Sequence, residues 1–234
     1  MLTNVITMLY NNTRARKIPR QLYFSTIYNW REVDVYKRQM FETSPEIVKK
    51  HFLVLRRLAE KIGPDLKVFL GCEFHANVEM LEYLHADRVY SMAGSRYVLT
   101  EFSASTEEKY IRDRIYELLS SGYKPIVAHI ERYKCMKDIE LVEYLVNKGA
   151  YMQVNADSVI GKNGHGVKKY CGKLLEDELV QFIGSDCHGS KRRVTRIGDA
   201  YAYVSKKFGR QAADEIFIDN PQEILDNAKH CLSL

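Results

Sequence analysis

The hydrophobic pattern divides the chain into two unequal parts. Residues 1–39 mix polar, aromatic and basic side chains and keep neither the two-residue period of a half-buried strand nor the 3.6-residue period of an amphipathic helix. From Thr43 the pattern becomes orderly. Ser44-Pro45-Glu46 reads as a helix start, since proline in a first turn loses no hydrogen bond. Apolar Ile47, Phe52, Leu55 and Leu58 follow, and Gly63-Pro64 ends the helix. Lys67 to Leu70 predicts a short strand that delivers Gly71-Cys72-Glu73. A helix around Val78 to Leu84 comes next, then a β-rich run from Tyr97 to Phe102 containing Glu101. Residues 107–120 read as a helix stopped by Gly122, and Pro125-Ile126-Val127-Ala128 as a buried strand delivering His129. The cycle repeats through a helix from Ile139 to Asn147, a strand from Met152 to Val154 and a helix from Val167 to Glu176. A strand from Val180 to Ile183 then delivers Ser185-Asp186-Cys187-His188, and helices near 196–208 and 221–229 close the chain.

Strands alternating with helices predict right-handed βαβ units around a parallel sheet. The chemically active side chains recur just past the strand ends. In a β/α barrel those ends form one face, so Glu73, Glu101, His129, Asp186 and His188 would meet although they are far apart along the chain. Singly, a Glu or His at a strand end is ordinary capping or hydrogen bonding. Asp186 and His188 carry more, because residues two apart on a strand point to the same side. Together the five make an oxygen-and-nitrogen donor set without thiolate, suited to Mn²⁺, Fe²⁺ or Zn²⁺.

Composition changes this picture little. The apolar fraction of 46% and charged fraction of 28% are those of an ordinary globular chain. No run approaches the roughly 18 to 20 apolar residues of a membrane span, and the first residues lack the apolar core of a signal peptide, so a cytoplasmic protein with no membrane insertion is expected. The five cysteines, Cys72, Cys135, Cys171, Cys187 and Cys231, are scattered and form no CxxC pair, which predicts reduced thiols and no thiolate zinc site. The net charge of +5 suggests nucleic acid until it is located: residues 1–39 hold seven Lys/Arg against Glu32 and Asp34, which leaves 28 basic and 28 acidic residues elsewhere. A neutral main body offers no basic face for nucleic acid.

The motifs then become specific. Gly71-Cys72-Glu73, Tyr97-Val98-Leu99-Thr100-Glu101-Phe102, Ala128-His129-Ile130-Glu131-Arg132 and Ser185-Asp186-Cys187-His188, with Arg193 beyond, follow one another in order. In order and spacing they resemble the bacterial protein-tyrosine phosphatases of the PHP (polymerase and histidinol phosphatase) superfamily, found in capsular and exopolysaccharide synthesis. The match runs from about residue 43 to Asn220-Pro221. The resemblance implies an α/β fold, a distorted TIM-like (β/α)7 PHP barrel. It implies metal ligation by Glu73, Glu101, His129, Asp186 and His188, and phosphate binding by Arg132 and Arg193, whose planar forks suit phosphate oxygens. It also implies a divalent metal cluster, Mn²⁺ first with Fe²⁺ or Zn²⁺ open, and hydrolysis by metal-activated water. The expected substrate is the phosphotyrosine tail of a bacterial tyrosine kinase that regulates polysaccharide synthesis.

The departures matter equally. The family pattern opens with a strand carrying His-x-His, then an aspartate and a Thr-Pro-His, and none of these is present; no two of the seven histidines stand two apart. The barrel is therefore expected to lack its first strand or strands and to expose a sheet edge, giving low phosphatase activity and poor solubility. Asp34-Val35-Tyr36-Lys37-Arg38-Gln39 is what results from translating the end of a transposon used to prepare sequencing libraries. Residues 1–39 are accordingly read as a non-native or disordered segment, and 40–234 as a partial phosphatase domain. Ile130 stands where the family has proline, a change of loop stiffness rather than chemistry. His51 and His85 are expected on helix surfaces and His165 in a solvated loop; His75 stands two residues after Glu73 without support from the family pattern.

Three rivals stay open. Cys187 and Arg193 satisfy Cys-x5-Arg, the spacing of cysteine-dependent phosphatases, although HGSKR between them holds a single glycine. Another PHP phosphoesterase, such as a histidinol-phosphate hydrolase, would share the metals and differ in its pocket. An inactive fragment or scaffold without the His-x-His strand is the third.

Overall fold

The computed structural model describes residues 3–11, 21–26, 45–63, 66–187 and 194–228, with backbone alone for 3–11 and 21–26. Two strands, β1 (Thr3–Asn11) and β2 (Gln21–Thr26), precede helix α1 (Pro45–Ile62) and strand β3 (Leu66–His75). Then follow α2 (Met80–His85), β4 (Tyr97–Glu101), α3 (Glu108–Ser120), β5 (Lys124–Val127), α4 (Ile139–Asn147) and β6 (Tyr151–Asn155). The chain continues through α5 (Ala156–Ile160), α6 (His165–Glu176), β7 (Phe182–Gly184), α7 (Ile197–Phe208), α8 (Arg210–Asp214), a π-helical turn and α9 (Asn220–Asn227). Among the described residues no helix is long and apolar enough to cross a membrane.

The strands form one sheet in the order β2-β1-β3-β4-β5-β6-β7. From β3 to β7 every neighbour is parallel, the outcome of right-handed crossovers through helices. This five-stranded parallel part curls into a half-barrel, and the outer strands β2 and β7 approach each other. Strand β1 pairs with β3 antiparallel from Thr3↔Phe74 to Asn11↔Leu66, and β2 pairs antiparallel with β1. The sheet edge expected to be open at β3 is therefore covered, by strands drawn from the stretch that showed no clean period.

Two apolar layers explain the sequence pattern. Between sheet and helices lie Phe74, Val98, Val127, Met152, Val154 and Ile183 with Ile111, Ile115 and Leu118 of α3. On the opposite, concave face lie Tyr97, Leu99, Ile126, Ala128 and Phe182, with Met92 and Ile224 closing the floor. Strands buried on both faces read as continuous apolar runs rather than alternating ones. The period of two survives in which layer each residue joins: Tyr97 and Leu99 face the concavity, Val98 the helices. Extending that alternation, Glu101 on β4 and Glu73 and His75 on β3, with Phe69 below them, take the concave side at the C-terminal ends. Gly71 is glycine because a Cβ there would stand 2.9 Å from the Met92 sulfur and 3.2 Å from its Cα.

Ile126 is fully buried at the centre of this sheet. Truncation to alanine leaves a cavity that parallel neighbours on both sides cannot collapse into, at a cost of about 2–5 kcal/mol. Ile126→Ala should lower the urea midpoint without changing the slope of the transition; an unchanged midpoint would contradict this packing.

Candidate metal centre

Glu73, Glu101 and His129 converge. Each offers a donor atom, and these atoms lie within 4.8 Å of one another. His129 Nε2 stands 2.9 Å from Glu73 Oε1 and 3.3 Å from Glu101 Oε2. Both His129 and Glu73 are buried, and Glu101 is partly exposed. The remaining oxygen of Glu101, Oε1, lies 3.6 Å from His75 Nδ1.

The strand ends explain why these groups meet. β3 and β4 run parallel with His75 in register with Glu101, so alternation brings 73, 75 and 101 to one mouth. His129 follows β5 in a left-handed conformation, φ 35°, which a residue with a Cβ adopts at a cost of order 1–3 kcal/mol. Two contacts hold it there. The Gln153 amide oxygen accepts from the His129 backbone N–H at 2.6 Å. Tyr133 Oη donates to Ala128 O at 2.8 Å and accepts from Phe102 N at 3.0 Å. Its oxygen lies 3.2 Å from His129 Nδ1. Because that hydroxyl proton is committed to Ala128, Nδ1 of a neutral His129 is the donor to Tyr133, and Nε2 keeps its lone pair toward the two carboxylates.

A buried carboxylate beside a half-buried one needs a positive charge between them, and here the imidazolium supplies it. Burial pushes His129 down, but its bonds to Glu101 and Glu73 outweigh burial and lift it to about 9. Burial raises Glu101, yet the bonds from His129 and His75 draw it down to about 2. His75 is itself raised, chiefly by its bond to Glu101. The chemistry of the donor set fits a divalent cation. Two donors at metal-bond lengths of about 2.0–2.2 Å lie roughly 3–3.6 Å apart around one ion, and the separations from His129 are of that size.

Asp186 lies in a second cluster. Its Oδ2 accepts from Arg132 Nη2 at 2.5 Å and from Asn155 Nδ2 at 3.2 Å. Like His129, it ends a strand in a left-handed conformation, φ 44°. Arg132 is well exposed, with 42% of its side chain open to solvent. The two clusters are joined through β6. Gln153, which holds the His129 N–H, also donates through Nε2 to Asn155 Oδ1 at 3.1 Å, and Asn155 reaches Asp186. A Cβ on Gly184 would fall 2.6 Å from Gln153 Nε2, so glycine there leaves room for this link. Glu131 sits beneath, buried, its Oε1 accepting from Asn155 N at 3.1 Å and from Ser158 Oγ at 2.7 Å.

Of the residues singled out in the sequence, Glu73, Glu101 and His129 come together and Asp186 pairs with Arg132. His188 and Arg193 lie outside the described residues, as does the loop of the Cys-x5-Arg motif. His51, His85 and His165 are exposed, His165 opening α6 rather than lying in a loop. Sequence reasoning missed Gln153, Asn155, Tyr133 and Glu131, and gave His75 no partner. Gln153 and Asn155 could have been found: they stand two apart at the end of a buried strand, as Asp186 and His188 do after the next. Cys72, Cys135 and Cys171 are free thiols, and burial pushes the Cys72 and Cys171 thiols up to about 12.

The capsular polysaccharide synthesis CpsB/CapC model matches residues 32–226. The chain belongs to the CpsB/CapC family. The tyrosine-protein phosphatase CpsB of Streptococcus pneumoniae is 33% identical over 195 residues, covering 81% of this chain and 80% of that one. The tyrosine-protein phosphatase YwqE of Bacillus subtilis is 28% identical over 173 residues, covering 74% of this chain and 68% of that protein. A crystal structure from a study of YwqE and CpsB as metal-dependent tyrosine phosphatases superposes with a TM-score of 0.74 at 27% identity. It covers 81% of this chain and 76% of that one. The CpsB/CapC chain therefore shares its half-barrel with solved enzymes of that description.

The pH behaviour of the metal-free CpsB/CapC chain follows from the two shifts. His129 is raised from 6.5 to about 9, so its bonds stabilise fully below 6.5 and are lost as pH climbs through 9. Glu101 is lowered from 4.5 to about 2, so its contribution is complete above 4.5 and lost as pH falls through 2. The cluster stabilises most between 4.5 and 6.5. A ligating imidazole must be neutral, so uptake of a divalent cation at this site should release a proton, and apparent affinity should rise from pH 6.5 toward 9. Calorimetry in buffers of different ionisation enthalpy reads that proton; a heat independent of buffer would contradict the assignment.

Proposed function

We propose that this chain is a metal-dependent protein-tyrosine phosphatase acting on the phosphotyrosine tail of a bacterial tyrosine kinase that regulates capsular or exopolysaccharide synthesis. The observation that carries the reading is the meeting of Glu73, Glu101 and His129, within 4.8 Å, at the C-terminal mouth of a parallel half-barrel. Membership of a family whose relatives are metal-dependent tyrosine phosphatases supports the reaction class. In this reading Glu73, Glu101, His129, Asp186 and His188 hold a divalent cluster, Mn²⁺ first, and Arg132 and Arg193 bind the phosphate. The cations, when bound, activate water and neutralise the charge of the phosphate and of the departing tyrosyl oxygen.

The chain's own residues do the rest. The Glu73–Glu101 pair concentrates negative charge at the buried end of the mouth. Tyr133 and Gln153 fix the His129 ring and backbone, so that Nε2 faces the carboxylates. Arg132 spends one N–H on Asp186; a guanidinium has five donors, and this exposed one keeps others for a phosphate entering from solvent. A flexible tail suits such an open mouth. The protein is proposed to work in the cytoplasm, where the tail of such a kinase lies.

Residues 1–39 are proposed not to be a native part of the phosphatase domain. Strand β1 runs antiparallel where a β/α barrel needs a parallel first strand, and its sequence TNVITMLYN contains no histidine or carboxylate. The chain as it stands is accordingly expected to turn over slowly, and genomic DNA encoding His-x-His in frame upstream of codon 40 would bear this out.

The purified chain with Mn²⁺ should hydrolyse a phosphotyrosyl peptide faster than histidinol phosphate. EDTA should abolish the activity, Mn²⁺ should restore it, and Cys187→Ser should leave it intact. Arg132→Ala should cost about a hundredfold in kcat/KM, the scale of losing one charge-stabilising donor. Turnover that survives EDTA but not thiol alkylation would replace this reading with the cysteine mechanism.

A further inference from the structure

Among the described residues, His75 is the one histidine at the mouth to which the motif pattern gives no role. It stands two residues after Glu73 on the same side of β3 and pairs in parallel register with Glu101. The two oxygens of Glu101 are used in opposite directions. Oε2 turns inward to His129 Nε2 at 3.3 Å, and Oε1 turns outward to His75 Nδ1 at 3.6 Å. The inward side is closed, with 5% of the His129 side chain exposed, whereas 38% of His75 is exposed.

We propose that His75 is a metal ligand: with the outward oxygen of Glu101 it forms a second, solvent-facing cation position, which that carboxylate bridges to the buried position of Glu73, Glu101 and His129. The proposal rests on the reading of the buried trio as a metal centre and adds to it a residue and a position. A carboxylate with a separate imidazole at each oxygen is the donor arrangement of a bridged two-metal site. The 3.6 Å between Nδ1 and Oε1 is the spacing of two donors about 2.1 Å from one ion at a near-tetrahedral angle. The exposure of His75 leaves the rest of such an ion's coordination sphere to water and to an incoming phosphate oxygen. It also explains why an imidazole lies on the solvent side of Glu101, where a lysine or arginine would neutralise that carboxylate without binding a metal.

The test is Mn²⁺ titration of the metal-free 234-residue chain by calorimetry, with free Mn²⁺ followed by electron paramagnetic resonance. The unsubstituted chain should show two classes of site. His75→Ala should keep the tighter class and weaken the second at least about tenfold. His75→Gln keeps a donor to Glu101 but is a poor ligand, so it should behave like His75→Ala. His75→Asp should recover the second class, and each variant's fold is checked by circular dichroism. An isotherm for His75→Ala that superimposes on the original would overturn the proposal, as would full binding by His75→Gln, because His75 would then only orient Glu101. His129→Ala separates the two levels: if it leaves Mn²⁺ uptake unchanged, the buried metal centre itself is wrong and His75 falls with it.

Discussion

Two carboxylates, Glu73 and Glu101, are brought together at the mouth of the half-barrel, and nothing else in the structure makes sense without a positive charge between them. Taking a carboxylate out of water costs several kcal/mol unless it is paired and hydrogen-bonded. Parallel strands leave no freedom to turn the pair apart, because each strand end fixes both position and facing. His129 resolves this as an imidazolium wedged between the two oxygens. A proton and a divalent cation would compete for the same lone pair on Nε2, so the arrangement that holds the fold together here is also one whose donor set fits a metal.

Holding His129 in place requires a strained backbone and a dedicated shell. Left-handed conformations at His129 and Asp186 redirect the chain immediately after β5 and β7, so that these side chains turn across the mouth rather than continuing along the strand. Such conformations persist only where neighbours over-determine them. Gln153 grips the His129 amide, Asn155 grips the Asp186 carboxylate, and the two amides bond to each other. The polar end of strand β6 thus ties the two turns into one unit. Glu131 fixes the same strand end from below through the Asn155 N–H and Ser158.

Much of this was legible in the sequence, and the gaps have physical causes. The order of strands and helices from Thr43 onward was readable because buried parallel strands are short apolar runs between amphipathic helices, and α4 spans the residues that its pattern implied. The pattern predicts four residues for β3, Lys67 to Leu70, and the strand runs for ten. Its end at Gly71-Cys72-Glu73 looks like a loop, and only the crossing of Met92 over Gly71 shows why a glycine sits inside a strand. Strands β1 and β2 were invisible because they pair as an added ribbon and not within a βαβ repeat. In the site, charged residues announced themselves and amides did not: Gln153 and Asn155 read as ordinary polar positions until their partners are known. The pairing of His75 with Glu101 depends on the register of two strands, which no local pattern encodes.

The antiparallel ribbon bears on how complete the mouth is. Parallel strands place all their C-terminal ends on one rim, so each can add a ligand there. An antiparallel β1 sends its C-terminal end to the opposite rim and leaves Thr3 and Asn4 beside Phe74 and Glu73. The ribbon satisfies the β3 backbone, removing the penalty of an open edge. Sheet closure and metal ligation are thus separable in this fold. Backbone pairing demands only an extended chain, whereas ligation demands particular side chains at one rim with the right strand direction.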